Sequence, residues 1–372
     1  MISGQKAGLG AGLLRSLLGV AAAGYSIAVR LRNFLYLAGW LKAHRANAIV
    51  LNVGNITVGG TGKTPLVVWL CKEIISDSKF QISNSQCAIL TRGYKAGKDS
   101  RLKTQDARLK MQDYRDEPAI LAESCPEVNV IVNPDRAAGA IEAVSKFGAK
   151  VLIMDDGFQH RRLVRDLDII TIDGTQPFGY GKMLPAGLLR EPVTSLKRAG
   201  AVVITRCDQI TETELKQIEK KLGLINPDMI IARSIHAPAY VKSADNKEIS
   251  LEQLKNKKVF AFCGIGNPEA FLNTIKQLGA NLVGSKFYND HHHYTNDCLA
   301  DIYEQAGDLK ADLILTTQKD WTKIISGCRF QISDFESSRP FAYIGIEIKF
   351  LAGEDKLRDL IEKTLASKIS QK

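Results

Sequence analysis

Apolar positions along the chain fall into two alternating patterns. Short apolar runs occur at Ala48-Ile49-Val50-Leu51, Ala88-Ile89-Leu90, Val128–Val132, Val151-Leu152-Ile153-Met154, Asp168–Ile172 and Ala201–Thr205, and read as buried strands. Between them lie stretches with helical character. One begins at Leu66-Val67-Val68-Trp69-Leu70, one is opened by Asn133-Pro134-Asp135-Arg136 and runs to about Phe147, and one is polar, Thr211–Leu222. Strand–helix alternation from 48 to 222 predicts a parallel, doubly wound sheet with its ligand at the strand C-terminal ends. Around Asn226-Pro227-Asp228 the pattern shifts, and Ile230–Val241 reads as extended. A second α/β block follows, with strands at Lys258–Cys263, Leu313-Ile314-Leu315 and Ala342–Ile348 and helices at 269–278, 297–307 and 355–368.

Residues 7–41 break both patterns, because Leu, Ala, Gly, Val, Tyr, Phe and Trp dominate throughout. A membrane-spanning helix needs about 20 uninterrupted apolar residues. Here Arg15 interrupts, and Arg30 and Arg32 follow after 14 intervening residues. No small-residue cleavage site leads into a secreted-looking domain, which argues against a signal peptide. At about 100° per residue, Arg15, Ser26, Arg30 and Asn33 fall within roughly 60° of one another. The rest of the circumference is apolar and includes Tyr25, Phe34, Tyr36 and Trp40. A narrow polar stripe on an apolar helix suits a segment lying in a bilayer interface. A buried helix and a true span are the alternatives.

At 372 residues with 45% hydrophobic and 24% charged residues, the chain can bury an ample core and has room for two domains. Its net charge of +10 suits an anionic partner: a phosphorylated substrate, an anionic membrane face or nucleic acid. Nucleic acid ranks last, since there is no block of Lys and Arg and no zinc-finger or RNA-binding signature. The seven cysteines are scattered without a Cys-x-x-Cys pair, which fits reduced thiols in a cytosolic compartment.

The chemistry concentrates after the first strand. Val53-Gly54-Asn55-Ile56-Thr57-Val58-Gly59-Gly60-Thr61-Gly62-Lys63-Thr64-Pro65 joins a strand to a helix through a glycine-rich turn, the layout of a phosphate-binding loop. Its glycines let backbone N–H groups turn inward toward phosphate oxygens, and the helix start adds positive dipole. Lys63 is placed for the β/γ-phosphates, and the Thr64 hydroxyl for Mg²⁺. Thr57 stands where the usual pattern has its first glycine. A glycine-rich turn with a surface lysine is the bland alternative.

Further along, Asp116-Glu117-Pro118 opens a helix after a long polar loop at 95–115; Asp116 reads as its N-cap. The strand ending in Asp155-Asp156-Gly157-Phe158-Gln159-His160 has a Walker B arrangement, delivering carboxylates to a metal. Phe178–Pro192 is a glycine- and proline-marked loop entering a basic helix with Lys197 and Arg198. Gly264-Ile265-Gly266-Asn267-Pro268 is a weak dinucleotide cue without its third glycine. His291-His292-His293 cannot all face one ion from a turn, so proton transfer by one of them is favoured over a metal site.

Taken in order, the phosphate loop, Asp116-Glu117-Pro118, Asp155–His160, Leu184-Pro185-Ala186-Gly187, Gly264–Pro268, Asp290-His291-His292 and Thr317-Gln318-Lys319-Asp320 resemble the tetraacyldisaccharide 4′-kinase (lipid A 4′-kinase) family. The resemblance reaches from the N-terminal helix to about Asp320. Threonine at the first loop position is typical of that family; Gln318 departs from it, where glutamate is commoner.

The resemblance implies an ATP- and Mg²⁺-dependent kinase, peripheral on the cytoplasmic face of a Gram-negative inner membrane. It would phosphorylate the 4′-hydroxyl of a tetraacylated glucosamine disaccharide 1-phosphate to give lipid IVA. The implied fold is two α/β domains joined by a two-stranded linker: an N-terminal helix (1–46), a P-loop domain (47–228), a linker strand (229–241), a second domain (242–340) and a return strand with a C-terminal helix (341–372).

Thr57, Val58, Gly59, Gly60, Thr61, Gly62, Lys63 and Thr64 would hold the triphosphate, and Thr64, Asp155, Asp156 and Glu117 the metal. The resemblance makes Asp116 the catalytic base and His291 its partner, with domain closure assembling the site, and places Arg136, Gln159 and Arg190 near substrate phosphates. A soluble P-loop enzyme acting on a small metabolite and a membrane-tethered nucleotide switch are the competing readings.

Overall fold

A computed structural model describes residues 9–76, 82–93, 117–245, 247–266, 268–289, 292–327 and 339–369. The chain begins with α1 (Leu9–Leu37), β1 (Ile49–Gly54), α2 (Lys63–Ser76), β2 (Cys87–Thr91), α3 (Glu117–Ser124) and β3 (Asn129–Val132). It continues through α4 (Arg136–Phe147), β4 (Val151–Asp155), β5 (Leu167–Asp173), β6 (Ala201–Thr205), α5 (Glu212–Ile225) and β7 (Ile230–Ser243). Then come β8 (Glu248–Ile249), β9 (Lys258–Cys263), α6 (Pro268–Gln277), β10 (Asn281–Phe287) and α7 (Asn296–Asp308). The chain closes with β11 (Leu313–Thr317), α8 (Gln318–Gly327), β12 (Phe341–Ala352) and α9 (Glu354–Ile369).

Contacts divide the chain into two units. The first holds residues up to Arg92, Glu127–His236 and the chain from Ile348 onward; the second holds Gly93–Pro126 and Ala237–Glu347. In the first, the strand order is β7-β6-β5-β1-β4-β2-β3, and the pairs along it are parallel. Strands β1, β2, β4 and β6 are buried along their whole lengths, as a parallel sheet covered on both faces requires. Val50, Ala88 and Leu152 pack with Ala140 and Ala143 of α4 on one face. Ile170, Val202 and Ile204 pack with Leu215, Ile218 and Leu222 of α5 on the other.

Register sets the site. Val53 pairs with Asp155 and Gly54 with Ile170, so β1, β4 and β5 finish side by side. Local signals fix the neighbouring helices. Asp135 caps α4 by accepting from the N–H groups of Ala137 and Ala138, and Gly148 ends it in the left-handed region at φ 64°. Thr211 and Glu214 form a capping box on α5.

Helix α1 turns the rim of its polar stripe inward. Ala22, Ser26, Val29, Asn33 and Tyr36, spaced three and four apart, make up its covered side, although Arg15 and Arg30 stay exposed. Leu13, Leu17, Val20, Ile27, Leu31, Phe34, Leu37 and Trp40 are exposed on the rest of the helix and just beyond it. By length and composition Gly12–Leu37 is apolar enough to cross a membrane, and little of it is buried.

In the second unit, β10-β9-β11-β12 are parallel neighbours, and β8 pairs antiparallel with the end of β7. Phe262, Tyr294 and Phe341 meet edge-on in its core. Three elements differ from the sequence reading. Strand β10 was not expected, because Gly284, Ser285 and Lys286 interrupt its apolar character and its residues are largely half-exposed. Helix α8 begins at Gln318, within what read as a strand-end turn. Residues 193–198 form a short 3₁₀ turn, not an α-helix, between Pro192 and the next strand.

Gln318 has a local reason. Its Nε2 donates to Glu123 of α3 at 3.0 Å and to the Tyr240 hydroxyl at 3.2 Å. Glu123 also accepts from the Tyr343 hydroxyl and lies 3.6 Å from Lys242. A glutamate at 318 would put a second carboxylate against Glu123.

Candidate active site at the phosphate loop

The loop after β1 is held from behind. Thr61 Oγ1 accepts from Asn55 Nδ2 at 3.0 Å and lies 2.7 Å from Thr171 Oγ1. The Thr171 hydroxyl reaches the Gly54 carbonyl at 3.2 Å, and the Thr205 hydroxyl donates to the Thr61 carbonyl at 3.1 Å. Arg206 Nη2 donates to the Gly60 carbonyl at 2.7 Å. These bonds fix the carbonyls of Gly54, Gly60 and Thr61, so the turn is held from its carbonyl side. A Cβ at Gly59 or Gly60 would meet nothing within 4 Å, so there is open space beside the turn.

Each glycine has its own cause. Gly59 and Gly62 sit at φ +116° and +84°, closed to ordinary side chains. A Cβ on Gly62 would also lie 2.3 Å from His236 Nε2. Thr57 is buried, outside the positive-φ set, and bridged antiparallel to Leu189, so this position needs no glycine.

Opposite the loop, β4 ends in Asp155 and Asp156. Asp155 is buried and accepts from the Thr91 hydroxyl at 3.1 Å. Asp156 takes a left-handed conformation at φ 52°, the kind of backbone strain that gathers at functional sites. Arg190 Nη1 donates to both of its oxygens, at 3.0 and 2.8 Å, and Lys63 Nζ lies 3.5 Å away. Burial alone would raise the Asp156 pKa, but the charges of Lys63 and Arg190 outweigh it and hold the carboxyl below its ordinary range. Gly157 lets this turn close, since a Cβ there would sit 2.4 Å from Asn52 Oδ1.

The remaining sequence candidates fall around this centre or away from it. Arg136 is buried, and its guanidinium donates to the carbonyls of Asn133 at 2.6 Å and Asp155 at 3.2 Å. Burial lowers its pKa to about 10, against the opposing pull of Asp155 and Asp156. Gln159 Nε2 donates to the Asn55 carbonyl at 2.9 Å, which joins the aspartate turn to the loop. Val58 is fastened through its N–H to the Leu188 carbonyl. Thr64 opens α2 directly after Lys63. Glu117 is exposed at the start of α3, in the second unit. Asp116 and His291 lie outside the described residues. His292 stacks on Tyr288 at 4.3 Å between ring centroids, and among the described residues no cluster of three or more His, Cys, Asp or Glu is placed to hold a metal.

Two residues here, Arg206 and His236, escaped the sequence reading, and His160 was read only as the end of the aspartate run. Arg206 follows β6 directly and adopts φ 56°; its place at a strand's C-terminal end was the available signal. His236 gave none, because only the fold brings it under Gly62. Its pKa is lowered to about 4 by burial and, next, by the charge of Arg206. His160 is likewise lowered to about 4, by burial and then by Arg136 and Arg92.

A parallel sheet with a glycine-rich loop after its first strand, lysine and threonine opening the next helix, and aspartates on the adjacent strand end defines a P-loop phosphotransferase. The model of the Tetraacyldisaccharide-1-P 4'-kinase family matches residues 14–366. The tetraacyldisaccharide 4'-kinase of Halothermothrix orenii is 34% identical over 355 residues, covering 91% of this chain and 90% of that protein. The corresponding protein of Anaeromyxobacter sp. strain K is 35% identical over 352 residues, covering 94% and 90%. The crystal structure of LpxK from Aquifex aeolicus in complex with ATP superposes with a TM-score of 0.70 at 27% identity, covering 95% of this chain and 99% of that one. The chain belongs to the tetraacyldisaccharide 4'-kinase family of lipid A biosynthesis, and is an ATP-dependent kinase acting on a hydroxyl group.

Proposed function

We propose that the chain transfers the γ-phosphate of ATP to the 4′-hydroxyl of a tetraacylated glucosamine disaccharide 1-phosphate, forming lipid IVA. The observation that carries this reading is the Gly59–Thr64 turn, with open space at Gly59 and Gly60, joined to Asp156 and Arg190 through Lys63. The names of the relatives supply the acceptor. In the transfer, a bond forms between the 4′-oxygen and the γ-phosphorus. The bond from that phosphorus to the β,γ-bridging oxygen breaks, and its electron pair leaves on ADP. Asp116 takes the hydroxyl proton and His291 supports it. Backbone N–H groups of the loop, Lys63 and Arg190 meet the charge that spreads over the phosphoryl oxygens. Arg136 and Gln159 act by holding the aspartate turn against the loop.

The donors around the loop fit Mg²⁺. Asp155, Asp156 and the Thr64 hydroxyl are oxygen donors, and Mg²⁺ is commonly bound by one or two carboxylates plus substrate phosphates. Bound there, it would neutralise charge on the β- and γ-oxygens. Glu117 is the weaker fourth candidate. Strands β7 and β12, each with residues in both units, are read as the two linker strands.

The exposed apolar side of α1 supports a peripheral seat on a membrane, taken as the cytoplasmic face of the inner membrane because ATP is the donor. Incubating the protein with labelled ATP and lipid A disaccharide 1-phosphate in mixed micelles should yield a bis-phosphorylated lipid. Hydrolysis of ATP without a labelled lipid would overturn the reading.

A further inference from the structure

The loop's outer arm is bolted to α1 through one short segment. Leu188 and Leu189 run antiparallel to Thr57 and Val58, and the Arg190 N–H donates to the Ile56 carbonyl at 2.7 Å. The guanidinium of Arg190 grips Asp156. The next residue, Glu191, is fully buried, yet it carries a carboxylate. Asn33 Nδ2 donates to it at 2.9 Å and Arg32 Nη2 at 3.4 Å, both from α1, and Arg198 Nη2 donates at 3.0 Å. Arg198 lies over the Phe158 ring, 4.2 Å from its centroid, two residues beyond Asp156. The Tyr25 hydroxyl, also on α1, donates to the Arg190 carbonyl at 3.1 Å. Arg161 Nη1 donates to the Asn33 carbonyl at 2.9 Å and stands over the Tyr36 ring.

A helix needing only an apolar seat does not need these contacts. Ala22 and Val29 already give α1 a buried seam. A buried carboxylate is costly unless its donors are all in place, so its geometry is tightly specified. Specification is useful here because Arg190, one residue away, must sit correctly on Asp156.

We infer that Glu191 is a positioning residue: it locks α1 to the segment that carries Arg190, so that the seating of the apolar helix sets the geometry of the nucleotide centre. The helix is thereby part of the catalytic geometry and more than an anchor. This rests on the reading of Arg190 and Asp156 as members of the active centre.

The test uses the full chain in mixed micelles and reads kcat, the KM for ATP and sedimentation with phospholipid vesicles. Asn33→Ala and Tyr25→Phe remove a donor each from partly exposed positions on α1. Asn33→Ala should lower kcat about tenfold, within the range a small misplacement costs, while vesicle sedimentation is unchanged. Tyr25→Phe should lower it in the same direction by less. Asn33→Asp should lose more, because it faces Glu191 with a like charge. Adding Glu191→Gln to Asn33→Asp exchanges donor and acceptor across the same pair and should recover most of the loss.

In an Arg190→Lys background, Asn33→Ala should cost nothing further, as expected when one residue acts through another. Normal turnover in Asn33→Ala with impaired Arg190→Lys would overturn the coupling alone. Normal turnover in Arg190→Lys would remove Arg190 from the centre and the coupling with it. Parallel loss of turnover and sedimentation would also overturn it, by reducing α1 to an anchor.

Discussion

Nε2 of His236 stands where Gly62 lacks a side chain: a Cβ there would be 2.3 Å away. The imidazole makes no hydrogen bond through that nitrogen among the described residues, so its role against the loop is steric. Gly62→Ala meets this ring and a φ of +84° together. It should weaken ATP binding by tenfold or more, about the factor that 1.4 kcal/mol of backbone strain gives. Adding His236→Ala should recover only part of the loss, because the φ penalty remains. Equilibrium titration with ATP decides; affinity within twofold of wild type in Gly62→Ala would refute the account.

His236 also links stability to pH. Its folded pKa is lowered from 6.5 to about 4. Between those values the unfolded chain takes up a proton that the folded one refuses. Stability from this group is therefore full above pH 6.5 and is lost as pH falls toward 4, by on the order of 3 kcal/mol. His236→Gln should flatten the dependence of unfolding free energy on pH in that window. An unchanged slope would show that the ring is already charged in the folded protein.

Lys63 and Asp116 should separate kinetically. Lys63→Ala removes the proposed phosphate contact and one of the two cationic partners of Asp156, so ATP affinity and turnover should both fall. Asp116→Ala should cut turnover by about 10²–10⁴, the usual scale for a general base, with ATP binding little changed. Near-normal turnover in Asp116→Ala would remove it from the mechanism, and an active Lys63→Ala would dismiss the loop assignment.

The exposed side of α1 gives a surface test. Ile27 and Phe34 are 67% and 60% exposed, so Ile27→Glu with Phe34→Glu should leave thermal stability nearly unchanged. Sedimentation with phospholipid vesicles should drop severalfold. Unchanged sedimentation would place the membrane contact elsewhere.

What was legible in the sequence was local. The strand, glycine turn and Gly-Lys-Thr occupy one continuous stretch, and the aspartates directly end a strand, so spacing alone exposed them. The alternation of apolar runs and helices likewise gave the parallel sheet of the first unit. His236 was silent and Arg206 signalled only by standing at a strand's end, because both meet the loop only after the sheet assembles. The wheel located the polar rim on α1, yet not that Ser26 and Asn33 face inward, since it cannot see Glu191. Strand β10 was lost because an edge strand with Gly284 carries little apolar signal. Thr57 broke the usual loop pattern without consequence, because extended backbone there accepts a side chain.

The outward row from Leu13 to Trp40, set in a membrane as proposed, would change which concentration governs the enzyme. On the proposed seat, with α1 in a lipid layer beside a four-tailed acceptor, encounters would occur in two dimensions. Rates then follow moles of acceptor per unit area, and diluting it with inert lipid slows the reaction even when its amount per litre is fixed.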